Sequence, residues 1–291
     1  MFITKFQEFS FWTLWTPDVI IGLAAMTILF HWLLTKPGRG SVSITVRQKI
    51  YFGLALLCLY LGWGSPLSVV GHSVFSVHMI QMVFVYFAGV PLLLLAIPKW
   101  LLQVGIKNWK RKSMITYRFI LNPILGLIGF NALFSFYHFP VIFDYMMQVS
   151  FLQIVFKAAL FSSAALMWWH ILAPLPELNR FTDFRRIIYI FANGILITPA
   201  CALMIFAGSP LYETYTNPET MMQTADSFRF LDAHQDQRLA GIIMKISQEF
   251  IYASAIGYVF KQWLNKEKQQ DGELTISDIP DSHYANKKNR F

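Results

Sequence analysis

Charge is what this chain has least of. Lys, Arg, Asp and Glu make up 14% of its 291 residues, against about 25% in a soluble globular domain. A surface facing water on every side is not built from so little charge, so a soluble protein is excluded. Cysteine is nearly absent too. Cys58 and Cys201 both lie inside apolar runs without CxxC spacing, which excludes a disulfide framework and a thiolate metal site. The chain has no GxSxG, no P-loop, no GxGxxG opening a helix and no HExxH. Hydrolase, nucleotide-driven and zinc-protease chemistry therefore have no signature here, and the chain reads as a protein that is not an enzyme.

What is present is apolar length: 55% of the residues are hydrophobic and 16% aromatic. A hydrocarbon layer about 30 Å thick takes roughly 20 residues of helix to cross. Seven stretches qualify, near 17–35, 48–66, 74–98, 118–138, 149–172, 187–207 and 240–264. The expected fold is therefore all-α and polytopic, a seven-helix membrane domain over 1–264 with a polar tail over 265–291. Pro91, inside the long third stretch, predicts tilt or a kink there. Only Lys5 precedes the first run as positive charge, and no small-residue cleavage site follows it, so it reads as a retained helix rather than a signal.

The Lys and Arg behind the net charge of +8 cluster in short connections, which is the pattern of membrane orientation rather than of nucleic-acid binding. The 36–49 loop carries Lys36, Arg39, Arg47 and Lys49; the 99–118 loop carries Lys99, Lys107, Lys110, Arg111, Lys112 and Arg118; neither has an acidic residue. The 173–186 loop adds Arg180, Arg185 and Arg186 against Glu177 and Asp183. The alternate connections are neutral or acidic. The positive-inside rule then predicts an outside N-terminus and an inside C-terminus for a multi-pass membrane protein.

One stretch is richer in metal-binding side chains than the rest. SVVGHSVFSVHMIQM, Ser68 to Met82, holds His72, His78, Met79 and Met82. His72 falls in the outer connection between the second and third crossings; His78 lies one turn into the third, with Met82 one turn deeper on the same face. An i, i+6 spacing does not put two ligands on one regular helix, so both reach one ion only if His72 folds back. The SFYHFP end of the fourth crossing brings His138 to the same level, with Asp144, Met146 and Met147 after it, and His234 and Asp236 precede the seventh. Imidazole suits copper, iron and zinc, and thioether favours Cu(I). A copper site composed from these outer residues is one reading; the other is interfacial anchoring by His and gap-filling by Met. His31 and His170, beside tryptophans at the opposite ends of their helices, read as an aromatic belt, and haem ligation has no spacing to select it.

Three ionisable residues fall deep in the apolar runs: Lys157 in the fifth, Lys245 and Glu249 in the seventh. Charges there are expensive unless paired or facing water. Lys245 and Glu249 are i, i+4 neighbours, and Lys157 enters at a similar depth, so a Lys157–Glu249–Lys245 cluster is expected, either as a structural ion cluster or as a proton or ion relay.

Three motifs carry a resemblance: His78-Met79-Ile80-Gln81-Met82 followed by Pro91-Leu92-Leu93-Leu94-Leu95-Ala96-Ile97-Pro98; SFYHFP; and Asp236-Gln237-Arg238-Leu239-Ala240-Gly241 leading into Met244. In this order, over Trp15 to Leu264, the sequence resembles the CtaG family of cytochrome c oxidase assembly factors. The resemblance implies a non-enzymatic role in forming caa3-type oxidase, with copper delivery by a metallochaperone-like mechanism as its suggested chemistry. Oxidase subunits or other oxidase assembly proteins are the implied partners beside the lipid bilayer. His72, His78, Met82, His138, Asp236 and Gln237 fall on the matching motifs. The chain departs from many relatives in having Ala240-Gly241 and Met244-Lys245 where they carry a double glycine and a tryptophan. The alternative left open is a transporter of copper or protons, using the outer histidines as an entrance and the charge cluster as a relay.

Overall fold

A computed structural model describes residues 6, 9–35, 44–112, 122–175, 181–217, 228 and 230–273. Expectations for Lys36, Arg39, Arg118, Glu177, Arg180, the side chains of Lys110, Arg111 and Lys112, and the tail from 274 onward lie outside them. Among the described residues eleven α-helices follow one another: α1 Phe11–Trp15, α2 Pro17–Thr35, α3 Val46–Trp63, α4 Ser65–Ser73, α5 Phe75–Ala96, α6 Lys99–Lys112, α7 Pro123–Tyr137, α8 Pro140–Gln148, α9 Ser150–Leu172, α10 Asp183–Phe206 and α11 Ala233–Glu273. Among the described residues there is no strand. Six spans among the described residues are long and apolar enough to cross a membrane (α2, α3 with α4, α5, α9, α10 and α11), and the bent pair α7 and α8 makes a seventh if it counts as one.

Sequence chemistry sets the breaks. Pro140 has no N–H and restricts Phe139 before it to an extended conformation, so α7 stops at Tyr137 and α8 leaves at 75°. Pro91 acts differently. Its ring would clash with the carbonyl one α-helical turn back, and α5 answers by widening into a π-helical stretch over Val83–Gly89, where Val90 N–H reaches Val85 C=O. In that register the Tyr86 carbonyl faces position 91, which has no N–H. The Trp168 indole of α9 supplies the missing donor at 2.9 Å. The kink predicted at Pro91 is thus a π-bulge locked to a neighbouring helix.

The last helix runs past the expected end at Leu264 to Glu273. Packing follows the aromatic content: Phe75, Phe87, Phe130, Phe134, Phe143 and Trp168 are fully buried in a common core. By contrast α2 buries none of its apolar window, so it lies on the outside of the bundle, touching the core through Leu23 and Met26.

The two ends of the bundle differ. At one end Arg47, Lys99, Arg186 and Lys266 line a common cavity of about 610 Å³ with Asp183. Buried Arg186 there donates to Ile171 C=O through Nε and Nη2 at 2.9 and 2.6 Å, and to Asp183 and Gln262 through Nη1. Lys266 pairs with the other oxygen of Asp183 at 2.6 Å. The opposite end gathers the termini of α3, α7 and α11 around the histidines.

Candidate functional site

The helix pair α4 and α5 decides where His72 and His78 point. Gly64 and Ser65 turn the chain at the end of α3, Ser65 with φ +61°, and α4 then runs to Ser73. Expected in a loop, His72 instead occupies the last turn of this helix. Val74 is extended (φ −130°, ψ 114°) and breaks the helix before α5 begins. Such a break frees backbone N–H groups at the new helix start. Asp236, from the first turn of α11, accepts them: Phe75 N–H donates to Oδ2 at 2.6 Å and Ser76 N–H to Oδ1 at 3.2 Å.

The break lets the two histidines share a site that no single helix would give them. His72 and His78 line one cavity of about 50 Å³, together with Gln81, Met82, Tyr137, Met147, Gln153 and Lys157. A water needs roughly 10–15 Å³ on this measure, so the cavity admits a few waters or one ion with part of its shell. Buried Tyr137 shares a hydrogen bond with His78 Nε2 at 3.3 Å, and the His78 ring packs edge-on against Phe143. Gly62 and Gly71 form part of the wall. A Cβ on Gly71 would strike the Gln81 carboxamide, and one on Gly62 would strike the Val85 side chain and lie 2.9 Å from the Gln81 backbone carbonyl.

The other residues of the expected set lie around this cavity, not in it. His138 is fully buried; its Nδ1 donates to Phe134 C=O at 2.8 Å, and its Nε2 meets no hydrogen-bond partner among the described residues. It shares Tyr137 and Phe143 as ring neighbours with His78. Asp236 is committed to the start of α5 and faces a separate apolar cavity. Gln237 ties the outer chain to the bundle, accepting Leu211 N–H at 2.7 Å and donating to Met204 C=O at 3.2 Å. Asp144 repeats the Asp236 device, accepting Glu213 and Thr214 N–H and the Thr214 hydroxyl at 3.0, 2.9 and 2.6 Å. The segment so held lays Tyr212 and Tyr215 over the site, their hydroxyls donating to His138 C=O and Gly71 C=O at 2.7 and 3.0 Å. Burial pushes both phenols above their ordinary range, so they stay protonated donors.

The expected charge cluster is divided. Lys157 lines the histidine cavity, whereas Lys245 and Glu249 form an ion pair at 2.6 Å in a groove between α10 and α11. Register along the helices suggested similar depth; rotation about the helix axes, which register does not give, puts them on different faces. His234 donates from Nε2 to Ala207 C=O at 2.9 Å, and His170 packs between Phe181 and Tyr189. Gln81, Tyr137 and Gln153 were not foreseen as cavity residues. Gln153 and Lys157 did leave a signal, as polar residues one turn apart in an apolar helix.

Chemically the cavity offers two imidazoles and two thioethers. Among the described residues no group of three His, Cys, Asp or Glu is placed to hold a metal. Imidazole and thioether are donors of the kind that soft ions such as Cu(I) favour.

Together the helices and cavity define a multi-pass α-helical membrane protein with a small soft-donor pocket between its helices at one end. The sequence model of the cytochrome c oxidase caa3 assembly factor family matches residues 25–266, and the chain belongs to that family. No curated protein and no solved structure matches it.

Proposed function

We propose that this chain serves cytochrome c oxidase assembly by holding copper transiently, as cargo, in the His72–His78 cavity and passing it to an oxidase subunit or another assembly protein. The observation that carries this reading is the convergence of His72, His78, Met82 and Met147 on one cavity. The donor set matches Cu(I) chemistry. The cavity lies at the end opposite Arg47, Lys99, Arg186 and Lys266. With basic residues inside, that end is extracytoplasmic in a bacterial cell membrane, the N-terminus is outside and the C-terminus inside. Holding and transfer require no bond-making on a substrate, so the role is non-enzymatic.

Transport of copper or protons is the weaker reading. The relay it needs would join Lys157 to Glu249, and these line separate cavities. The test is Cu(I) competition against a chromogenic chelator with purified protein. The His72→Ala, His78→Ala variant is expected to bind at least tenfold more weakly; equal affinity removes the site. In host membranes lacking the gene, the same variant should fail to restore haem a absorbance that the unaltered gene restores.

A further inference from the structure

The Lys245–Glu249 pair is in an unusual place. Gly194, whose carbonyl accepts from Lys245 Nζ at 3.1 Å, stands near the middle of α10, and Glu249 stands near the middle of the α11 span Ala233–Lys268. The pair is thus close to mid-membrane depth. Yet the Glu249 side chain is 58% exposed and that of Lys245 27%, on a face whose other members, Phe191, Ile195, Ile246 and Phe250, are exposed apolar side chains. Charged groups at this depth almost always face the bundle interior or water. Here one faces outward.

Donors and acceptors on this face do not balance. Lys245 is saturated: its ammonium has Gly194 C=O, Thr198 Oγ1, Gln248 Oε1 and Glu249 Oε1 within 3.1 Å. The Thr198 hydroxyl is spent on Gly194 C=O at 2.8 Å. Glu249 has only Lys245 among the described residues, which leaves one carboxylate oxygen without a donor. Beside it Ala253 and Gly257 are exposed, and the groove between α10 and α11 holds about 470 Å³. Small residues let a second helix approach closely, and polar side chains fasten it there.

We infer that the α10–α11 face docks a transmembrane helix of an oxidase subunit or co-assembly protein, and that this helix presents a hydrogen-bond donor at mid-depth to Glu249. A second copy of this chain packed through the same face does not fit. It would bring to the face only the same saturated Lys245 and spent Thr198, and a second acceptor in Glu249. The inference rests on family membership in oxidase assembly and is independent of copper.

The test is photo-crosslinking in host membranes with benzoylphenylalanine at Ala253, and at Ile128 on α7 as a control. The expected product at Ala253 is an adduct mapped by mass spectrometry to a transmembrane helix of an oxidase subunit or co-assembly protein carrying a donor side chain near its middle. Its yield should fall at least fivefold in Glu249→Leu and less than twofold in Glu249→Gln, which keeps an acceptor oxygen, with folded protein matched by size-exclusion chromatography. Adducts to a second copy, to lipid alone, or of equal yield in Glu249→Leu overturn the inference. Should Glu249→Leu not fold, the identity of the adduct in the unaltered background decides. Unchanged Cu(I) binding by Glu249→Gln keeps a failure here separate from a failure of the copper reading.

Discussion

Asp236 holds the histidine site without belonging to it, and removing its carboxylate separates geometry from chemistry. Its two oxygens accept the N–H groups of Phe75 and Ser76 in a buried setting. Hydrogen bonds to a charged group contribute about 1.5–3 kcal/mol each, and losing a cap costs about 0.5–2 kcal/mol. Because the two bonds share one carboxylate they do not add fully, and Asp236→Ala is expected to cost about 3 kcal/mol. Asn retains one acceptor and no charge, so Asp236→Asn should cost about half of that. At about 2–4 °C per kcal/mol for a chain of this size, the apparent Tm in detergent falls by roughly 6–12 °C for Ala and 3–6 °C for Asn. The same loss frees α5 to shift against α4, so Cu(I) affinity should fall in the same order although no cavity residue has changed. The assay is a thermal scan by intrinsic Trp fluorescence paired with chelator competition. A Tm for Asp236→Ala within 1 °C of the parent would refute the claim that this carboxylate anchors α5.

The wall glycines should part company. Gly62→Ala sets a Cβ against the Val85 side chain and the Gln81 backbone carbonyl, which cannot easily move, and is expected to cost about 1–3 kcal/mol as overpacking. Gly71→Ala meets only the flexible end of Gln81; the Tm should stay within a few degrees while the displaced carboxamide lowers Cu(I) affinity, measured by the same competition. Trp168→Phe removes the donor to Tyr86 C=O and leaves a buried carbonyl unpaired, at a cost of about 1–3 kcal/mol. A thermal scan of that variant with no loss of Tm would show that the π-bulge does not depend on the indole.

Apolar length was legible because it is a linear property: a membrane span announces itself in some twenty consecutive residues. The breaks were partly legible. Pro140 ends α7 through its own covalent geometry, whereas at Pro91 the chain forms a π-bulge whose Tyr86 carbonyl takes its donor from Trp168 of another helix. His72 and His78 were visible as candidates by residue type, and their poor spacing on one helix was visible too.

What the sequence by itself determined is an all-helical membrane chain with soft donors near one end and basic residues near the other, since composition and order along the chain fix those. Only the tertiary structure decided which donors share a cavity. That depended on Val74 breaking a helix with Asp236, 162 residues away, satisfying the freed N–H groups, and on the rotation of each helix about its axis. Rotation sent His138 and Asp236 out of the cavity, brought Lys157 into it, and turned Glu249 to the outer face. It is set by packing against neighbours rather than by any local preference of the chain.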